Sequence, residues 1–320
     1  MSKIKRIGVL TSGGDAPGMN MAIRAVVRAG VKAGIEVYGI YEGYKGLVEG
    51  NYKKLDPSDL DKRIPQGGTM LYSARLPEFE NIEVRRVGVT KLKEAGIEAV
   101  VVIGGDGSYR GAKALSEMGI KCIGIPGTID NDIVSTDYTI GFDTALNTAV
   151  EAIDRLRDTS HSHIRCNIVE LMGRYCGDLS LYAGISTGCS IIVTKETGFD
   201  KEDVIKKVKD LHERGERHVI IAIAEKITNV IDLSEEVQER TGYKTNPMIL
   251  GHIQRGGSPT AFDRVLASNM GVYAVKLLLE GVNSRCIGIR ENKLVHYDII
   301  EALDLPKEKN PLYDIVEDLS

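Results

Sequence analysis

The strongest constraint on this chain lies in Ala99 to Asp132, AVVVIGGDGSYRGAKALSEMGIKCIGIPGTIDND, where two apolar strands each run directly into a polar turn containing glycine. Val100, Val101, Val102 and Ile103 are consecutive apolar residues, the pattern of a strand covered on both faces of a parallel sheet. Gly104-Gly105-Asp106-Gly107-Ser108 follows at its carboxyl end. Three glycines in four positions let the backbone take positive φ and press its N–H groups against a bulky anion without interference from Cβ. Ser108 is expected to cap the helix that carries Ala112, Ala114 and Leu115, aiming the positive end of its dipole at the same place. The turn reads as a phosphate cradle holding one carboxylate. Because a lone carboxylate would repel phosphates, Asp106 makes sense as a ligand, direct or through water, of a Mg2+ ion bridging phosphate oxygens; an ordinary turn aspartate is the alternative.

Cys122, Ile123, Gly124 and Ile125 form the next strand, which Pro126-Gly127 ends before Thr128-Ile129-Asp130-Asn131-Asp132. If that segment is extended, Asp130 and Asp132 point to the same side, since side chains alternate along a strand. Paired acids beside a metal-phosphate cradle suggest a general base for a substrate hydroxyl and a second acid serving the metal or water network. A turn with surface acids is the alternative.

A chain of 320 residues, 42% of them hydrophobic, can bury a large core as one α/β unit or two lobes. A net charge of −4 gives no reason to expect nucleic-acid or anionic-membrane partners, so basic residues are read site by site. Five cysteines without CxxC spacing, and a start lacking an apolar signal core, lead us to expect a reducing, cytoplasmic setting. No run approaches membrane-spanning length.

Elsewhere strands and helices alternate. Ile7 to Leu10 is a strand entering Thr11-Ser12-Gly13-Gly14-Asp15-Ala16-Pro17-Gly18, a second anion-binding turn, with Pro17 suiting the first turn of the helix that follows. Neither glycine turn has the GxGxxG spacing of a dinucleotide fold, which argues against a nicotinamide oxidoreductase. Gly43 to Gly50 reads as a loop, and Ser73-Ala74-Arg75 places a cation near the nucleotide turns if they share a sheet edge. A helix is expected over 144–158, a strand over 167–171, and Arg174 in its terminal loop is either a phosphate clamp or a surface charge. Asp200 and Asp203 open a helix that Gly215 closes, Glu225 ends a strand over 218–224, and a long helix runs from about Ala261 to Leu279. His161 and His163 lack a third ligand and read as a solvated helix end. The alternation implies parallel sheets with helices on both faces and a site at the strands' carboxyl ends.

With TSGGDAPGMN, GGDGS, PGTIDND, MGRYCGD and GHIQRGGSP in that order, the chain resembles the short bacterial ATP-dependent phosphofructokinases from Ile7 to about Asp298. GGDG alone also occurs in lipid and NAD kinases; the five together are specific. The resemblance implies two Rossmann-like αβα lobes with mostly parallel sheets and an active site in the cleft between them. It puts residues 1–140 and about 253–305 in an ATP-binding lobe, and about 141–252 with the C-terminal tail in a sugar-phosphate lobe. It implies transfer of the γ-phosphoryl group of MgATP to the 1-hydroxyl of fructose 6-phosphate, the committed step of glycolysis. Asp130 would be the base, Asp106 the metal residue, and Thr128 and Arg174 partners of the phosphoryl group. ATP would meet Gly14, Arg75, Leu76 and the cradle Gly105, Asp106, Gly107 and Ser108. The sugar phosphate would meet Met172, Gly173, Glu225, His252 and Arg255, with Arg165 reaching in from a neighbouring subunit of a homotetramer. A catalytically silent sugar-phosphate-binding protein on this fold would have lost Asp106 or Asp130, and both are present.

A pyrophosphate-using branch resembles this chain except for Asp after GGD and Lys before TIDND, where Gly107 and Gly127 stand here; ATP is therefore the expected donor. Three positions depart from the usual pattern. Asn246 occupies the place of a second subunit-crossing Arg, and Ser190 and Glu216 replace a Glu and a Lys of the effector site. The remainder of that site would be Arg24, Arg28, Arg157, Gly188, Arg214 and His218.

Overall fold

The computed structural model describes residues 4–306 and 310–319, which divide into two compact units. Of the described residues, the first takes 4–129, 133–144 and 255–306, the second 130–132, 145–254 and 310–319. The division runs through the TIDND motif: Thr128 belongs to the first unit and Asp130 to Asp132 to the second.

The first unit is built on a seven-stranded sheet. Its strands are β1 (Arg6–Ser12), β2 (Glu36–Ile40), β3 (Tyr52–Lys54), β4 (Ala99–Gly104) and β5 (Lys121–Pro126), with two more supplied late in the chain. The second unit carries β6 (Arg165–Leu171), β7 (Ile191–Val193), β8 (His218–Ala224) and β9 (Thr245–Ile249); the chain then returns as β10 (Arg285–Arg290) and β11 (Lys293–Asp298). The first sheet has the order β11-β10-β5-β4-β1-β2-β3, parallel except at its edge pairs β2–β3 and β10–β11. The second, β7-β8-β6-β9, is wholly parallel. Every residue of β4 is buried, as its unbroken apolar run requires. This is an α/β protein with mostly parallel sheets.

Register places the functional turns together. Ser12 pairs with Gly104 and Gly104 with Pro126, so the turns after β1, β4 and β5 leave adjacent strands at the same level. The segment expected as a loop after Tyr41 is instead a helix, Gly43–Glu49. Its Tyr44 and Leu47 enter the core beside Phe79, and the Tyr44 hydroxyl donates to Ser108 O at 2.5 Å. Burial of that face overrides its glycines, whose weak helical preference had suggested a loop. The helix Met19–Lys32 starts after Gly18, whose φ of 101° turns the chain, so Pro17 precedes the helix and does not form its first turn. Asp200 caps Lys201–Glu213, accepting from Glu202 and Asp203 N–H. The helix Phe142–Ser162 outruns its expected limits at both ends, whereas Ala261–Leu279 keeps its own. All five cysteines are free thiols, and no helix among the described residues is long and apolar enough to cross a membrane.

Candidate active site

In the first unit the cradle forms, with altered internal roles. The helix Asp106–Glu117 begins at Asp106 itself, and its N-cap is Gly105 with extended φ −91° and ψ −164°. Ser108 is therefore not the cap. As β4 ends beside β1, the nearest acceptor for its hydroxyl is Ser12 O, to which it donates at 3.0 Å, tying the two glycine turns together. None of Gly104, Gly105 and Gly107 takes a positive φ; that conformation falls to Gly13, at 84°. The glycines serve close approach. A Cβ on Gly104 would overlap Ser12 O and Ser108, whereas that of Gly105 would meet only Thr128 Cβ at 3.8 Å and that of Gly107 nothing within 4 Å. Open space thus lies at a helix N-terminus, where N–H groups and the dipole favour an anion. Asp106, expected alone, is paired with Arg110 one turn along the helix at 3.1 Å.

Further cations and loops converge on this edge. Ser73 Oγ donates to Gly13 O at 2.7 Å, which brings the Arg75 loop to the first glycine turn; Arg75 is exposed and Leu76 packs against the core. Thr11 Oγ1 anchors the same loop through Thr69 Oγ1 at 2.8 Å and Tyr72 O at 2.9 Å. Arg255 lies directly over Gly14, so that any side chain there would overlap its guanidinium. Its Nε is buried without a hydrogen-bond partner, an orphaned donor of the kind a phosphate satisfies.

The TIDND segment is not extended. The chain bends at Ile129 and Asp130, and Asn131 has φ 51°, so the alternation expected to align Asp130 with Asp132 does not operate. Tertiary hydrogen bonds set this shape. Thr128 N–H donates to Ile140 O at 3.1 Å in the first unit, while in the second Asn131 Nδ2 donates to Asp178 at 2.9 Å. Asp130 is buried, and Asp132 Oδ2 lies 3.7 Å from Arg174 Nη1.

In the second unit the carboxyl ends of β6, β8 and β9 gather Met172, Gly173, Arg174, Glu225 and His252. Gly173 has φ 146° and Arg174 φ 59°; Arg174 N–H donates to Glu225 Oε1 at 2.7 Å, which joins two strand-end turns. Met172 N–H donates to Gln254 Oε1 at 3.3 Å. Burial first, then the charge of Glu225, push the Glu170 carboxyl above its usual range. Gln254, Asp178 and Glu170 were not anticipated. The first two sit inside GHIQRGG and MGRYCGD, and a polar residue locked within a glycine turn is the signal that could have found them.

Arg165 and Asn246 do not join this group. They stand at or near the amino ends of β6 and β9, and the seven residues of β6 from Arg165 to Leu171 span roughly 20 Å of strand. Several residues expected at an effector site are likewise engaged by the chain itself. Arg24 and Arg28 both pair with Asp61, at 2.8 and 2.5 Å. Arg157 donates to Thr187 O and Gly188 O, Arg214 ends the helix Lys201–Glu213, and Glu216 is exposed. Ser190 Oγ accepts from Ile220 N–H at 3.5 Å. His218 is held below its usual pKa by burial, then by Arg157 and His161, the latter with its ring 5.9 Å away.

Comparison with known proteins agrees with this architecture. Residues 6–278 match the family Phosphofructokinase. Over 318 residues, 99% of each chain, the sequence is 58% identical to an ATP-dependent 6-phosphofructokinase of Vibrio campbellii. Phosphofructokinase from Saccharomyces cerevisiae superposes with TM-score 0.87 at 36% identity over 98% of this chain, which spans 46% of that longer one. A pyrophosphate-dependent phosphofructokinase from Marinobacter aquaeolei shares the fold, with TM-score 0.83 at 21% identity over 96% of this chain and 86% of that one. On the extent of these matches and the five motifs that fall within them, the chain belongs to the phosphofructokinase family.

Proposed function

We propose that this chain transfers the γ-phosphoryl group of ATP to the 1-hydroxyl of fructose 6-phosphate, releasing fructose 1,6-bisphosphate and ADP. The observation that carries the choice of donor is the contrast between two glycines. Gly107 opens on free space, whereas a Cβ at Gly127 would lie 3.0 Å from Ile103 Cγ2 and 3.1 Å from Met19 Cε. A lysine suited to a bare pyrophosphate would press on Ile103 and Met19 at Gly127, whereas a nucleotide has room beside Gly107. The full-length identity to an ATP-dependent relative supports the same choice.

In this reading Asp130 accepts the proton of the 1-hydroxyl as that oxygen bonds to the γ-phosphorus, and the bond from phosphorus to the bridging oxygen of ADP breaks. Arg174, held loosely by Asp132, has a guanidinium available for the charge on the transferring group, and Thr128 lies beside the cradle. Gly14, Gly105, Gly107 and Ser108 line the nucleotide's phosphates, with Arg75 and Leu76 along its length. Glu225, Met172, Gly173 and His252 hold the sugar, and the orphaned Nε of Arg255 suits a phosphate. Asp106, one carboxylate at a helix N-terminus that now faces Arg110, would hold a Mg2+ ion brought in with the nucleotide. That ion would neutralise charge developing on the phosphates. Arg165 and Asn246, placed away from these residues, fit contacts to a neighbouring subunit in a homotetramer. Five free thiols suit a cytoplasmic protein.

The deciding experiment is a coupled assay of ADP release with fructose 6-phosphate, ATP and Mg2+, run beside one with pyrophosphate. Turnover that requires both ATP and the sugar phosphate is expected. Equal turnover with pyrophosphate would overturn the donor assignment, and none with either would overturn the reaction.

A further inference from the structure

A pocket of about 280 Å³ opens in the second unit beside the Arg174 turn, with Phe199, Ile227 and Ala224 on its apolar side and Arg174, Lys195 and Lys226 on its polar side. The topology explains the cations. The turns carrying Lys195, Lys226 and Arg174 follow β7, β8 and β6, which are neighbours in the sheet, so each adjacent strand end delivers one positive charge. All three face one ring: Lys226 Nζ, Lys195 Nζ and Arg174 Cζ lie 4.7, 5.1 and 5.8 Å from the centre of Tyr175. Among the described residues neither lysine ammonium has an ion-pair or hydrogen-bond partner; the lone acid on the lining, Glu225, already accepts from Arg174 N–H. Like charges so gathered repel each other, and a ring quadrupole offsets little of that.

A second observation is independent of charge. Arg174 and Lys226 have φ 59° and 66°, a left-handed conformation that bulky side chains rarely adopt and that concentrates at ligand sites. Two of the three cations are thus presented by strained turns.

We propose that this pocket binds a small phosphate monoester, its phosphate among Lys195, Lys226 and Arg174 and its carbon body against Phe199 and Ile227. A phosphate monoester carries about −1.5 to −2 charges near neutral pH and so meets both lysines together with Arg174, which also faces Asp132 at 3.7 Å. The volume suits a metabolite of a few carbons.

The chain contains no tryptophan, so Tyr175→Trp places a single fluorescent reporter in the pocket while keeping a cation–π partner. Titration with glycerol 3-phosphate should change its emission saturably, glycerol should not, and adding Lys195→Met with Lys226→Met should weaken the response about tenfold or more, since two charge-assisted contacts are lost. In the unsubstituted protein the same ester should raise Tm, and the two lysine substitutions alone should remove that rise while leaving kcat within about twofold, a measurement that stands if Tyr175→Trp does not fold. No saturable response to the ester, an equal response to glycerol, or a Tm rise that survives loss of both lysines would overturn the proposal.

Discussion

Asp263 offers a test of how burial and hydrogen bonding compete in this fold. Its carboxylate is fully buried at the start of the helix Ala261–Leu279 and accepts from Gly141 N and Thr144 N, each at 2.8 Å, and from Thr144 Oγ1. It thereby holds the first turn of Phe142–Ser162, the helix along which the chain passes from one unit to the other. Three donors would lower a carboxyl pKa, yet desolvation outweighs them and raises it from the usual 3.8 to about 6. The sign follows. Between the unfolded and folded values the native state binds more protons, so this group's contribution to stability falls as pH rises through that window and is fully lost above about 6. The loss totals about 3 kcal/mol, of which about 2 kcal/mol falls between pH 4.5 and 7. Asp263→Asn cannot ionise and escapes this loss, although its amide turns a donor toward other donors and lowers stability at every pH. Urea unfolding of both proteins from pH 4.5 to 7 should show their stability gap moving by about 2 kcal/mol in the variant's favour as pH rises. A constant gap would mean that the hydrogen bonds cancel the burial cost. A gap moving the other way would mean that they exceed it, and either result would refute the reasoning.

Asp130→Asn should lower kcat by roughly 10²- to 10⁴-fold with little change in KM for fructose 6-phosphate, because only proton transfer is lost; a steady-state assay with near-normal kcat would remove Asp130 from the role of base. Asn246→Arg should lower KM for fructose 6-phosphate, by at most about a hundredfold, since one charge-assisted phosphate contact is restored near the amino end of β9. An unchanged or higher KM would show that another residue fills the place. If ADP and phosphoenolpyruvate are the effectors, as the family resemblance implies, saturation curves for fructose 6-phosphate with and without either at millimolar concentration should shift little: Asp61 pairs with both Arg24 and Arg28 and offsets one of their two charges, and by the same resemblance Glu216 and Ser190 replace a cation and an acid. A strong shift in the unsubstituted protein, or none gained by Ser190→Glu with Glu216→Lys, would count against that account.

The chain's own order of residues determined the fold class and the family, and it marked the glycine turns on which the proposed chemistry rests. An apolar run such as Val100 to Ile103 fits a strand covered on both faces of a parallel sheet, and the glycine turn at its end fits close approach, which at Gly104 is to Ser12 and Ser108 of the chain itself. What local pattern could not reach was conformation set by distant partners. Ser108 reads as a cap from its spacing, but β1 brings Ser12 O within 3.0 Å and takes its hydroxyl. Asp130 and Asp132 read as aligned in an extended strand, but contacts made by Thr128 in one unit and Asn131 in the other bend the chain between them. Gly43 to Gly50 reads as a loop until Tyr44 and Leu47 find a core to fill. The cations around Tyr175 lie on three strand ends far apart in sequence, and only the β7-β8-β6 order of the sheet makes them one pocket. In each case the deciding partner lies from a dozen to nearly a hundred residues away, where periodicity and propensity carry no information and strand register does.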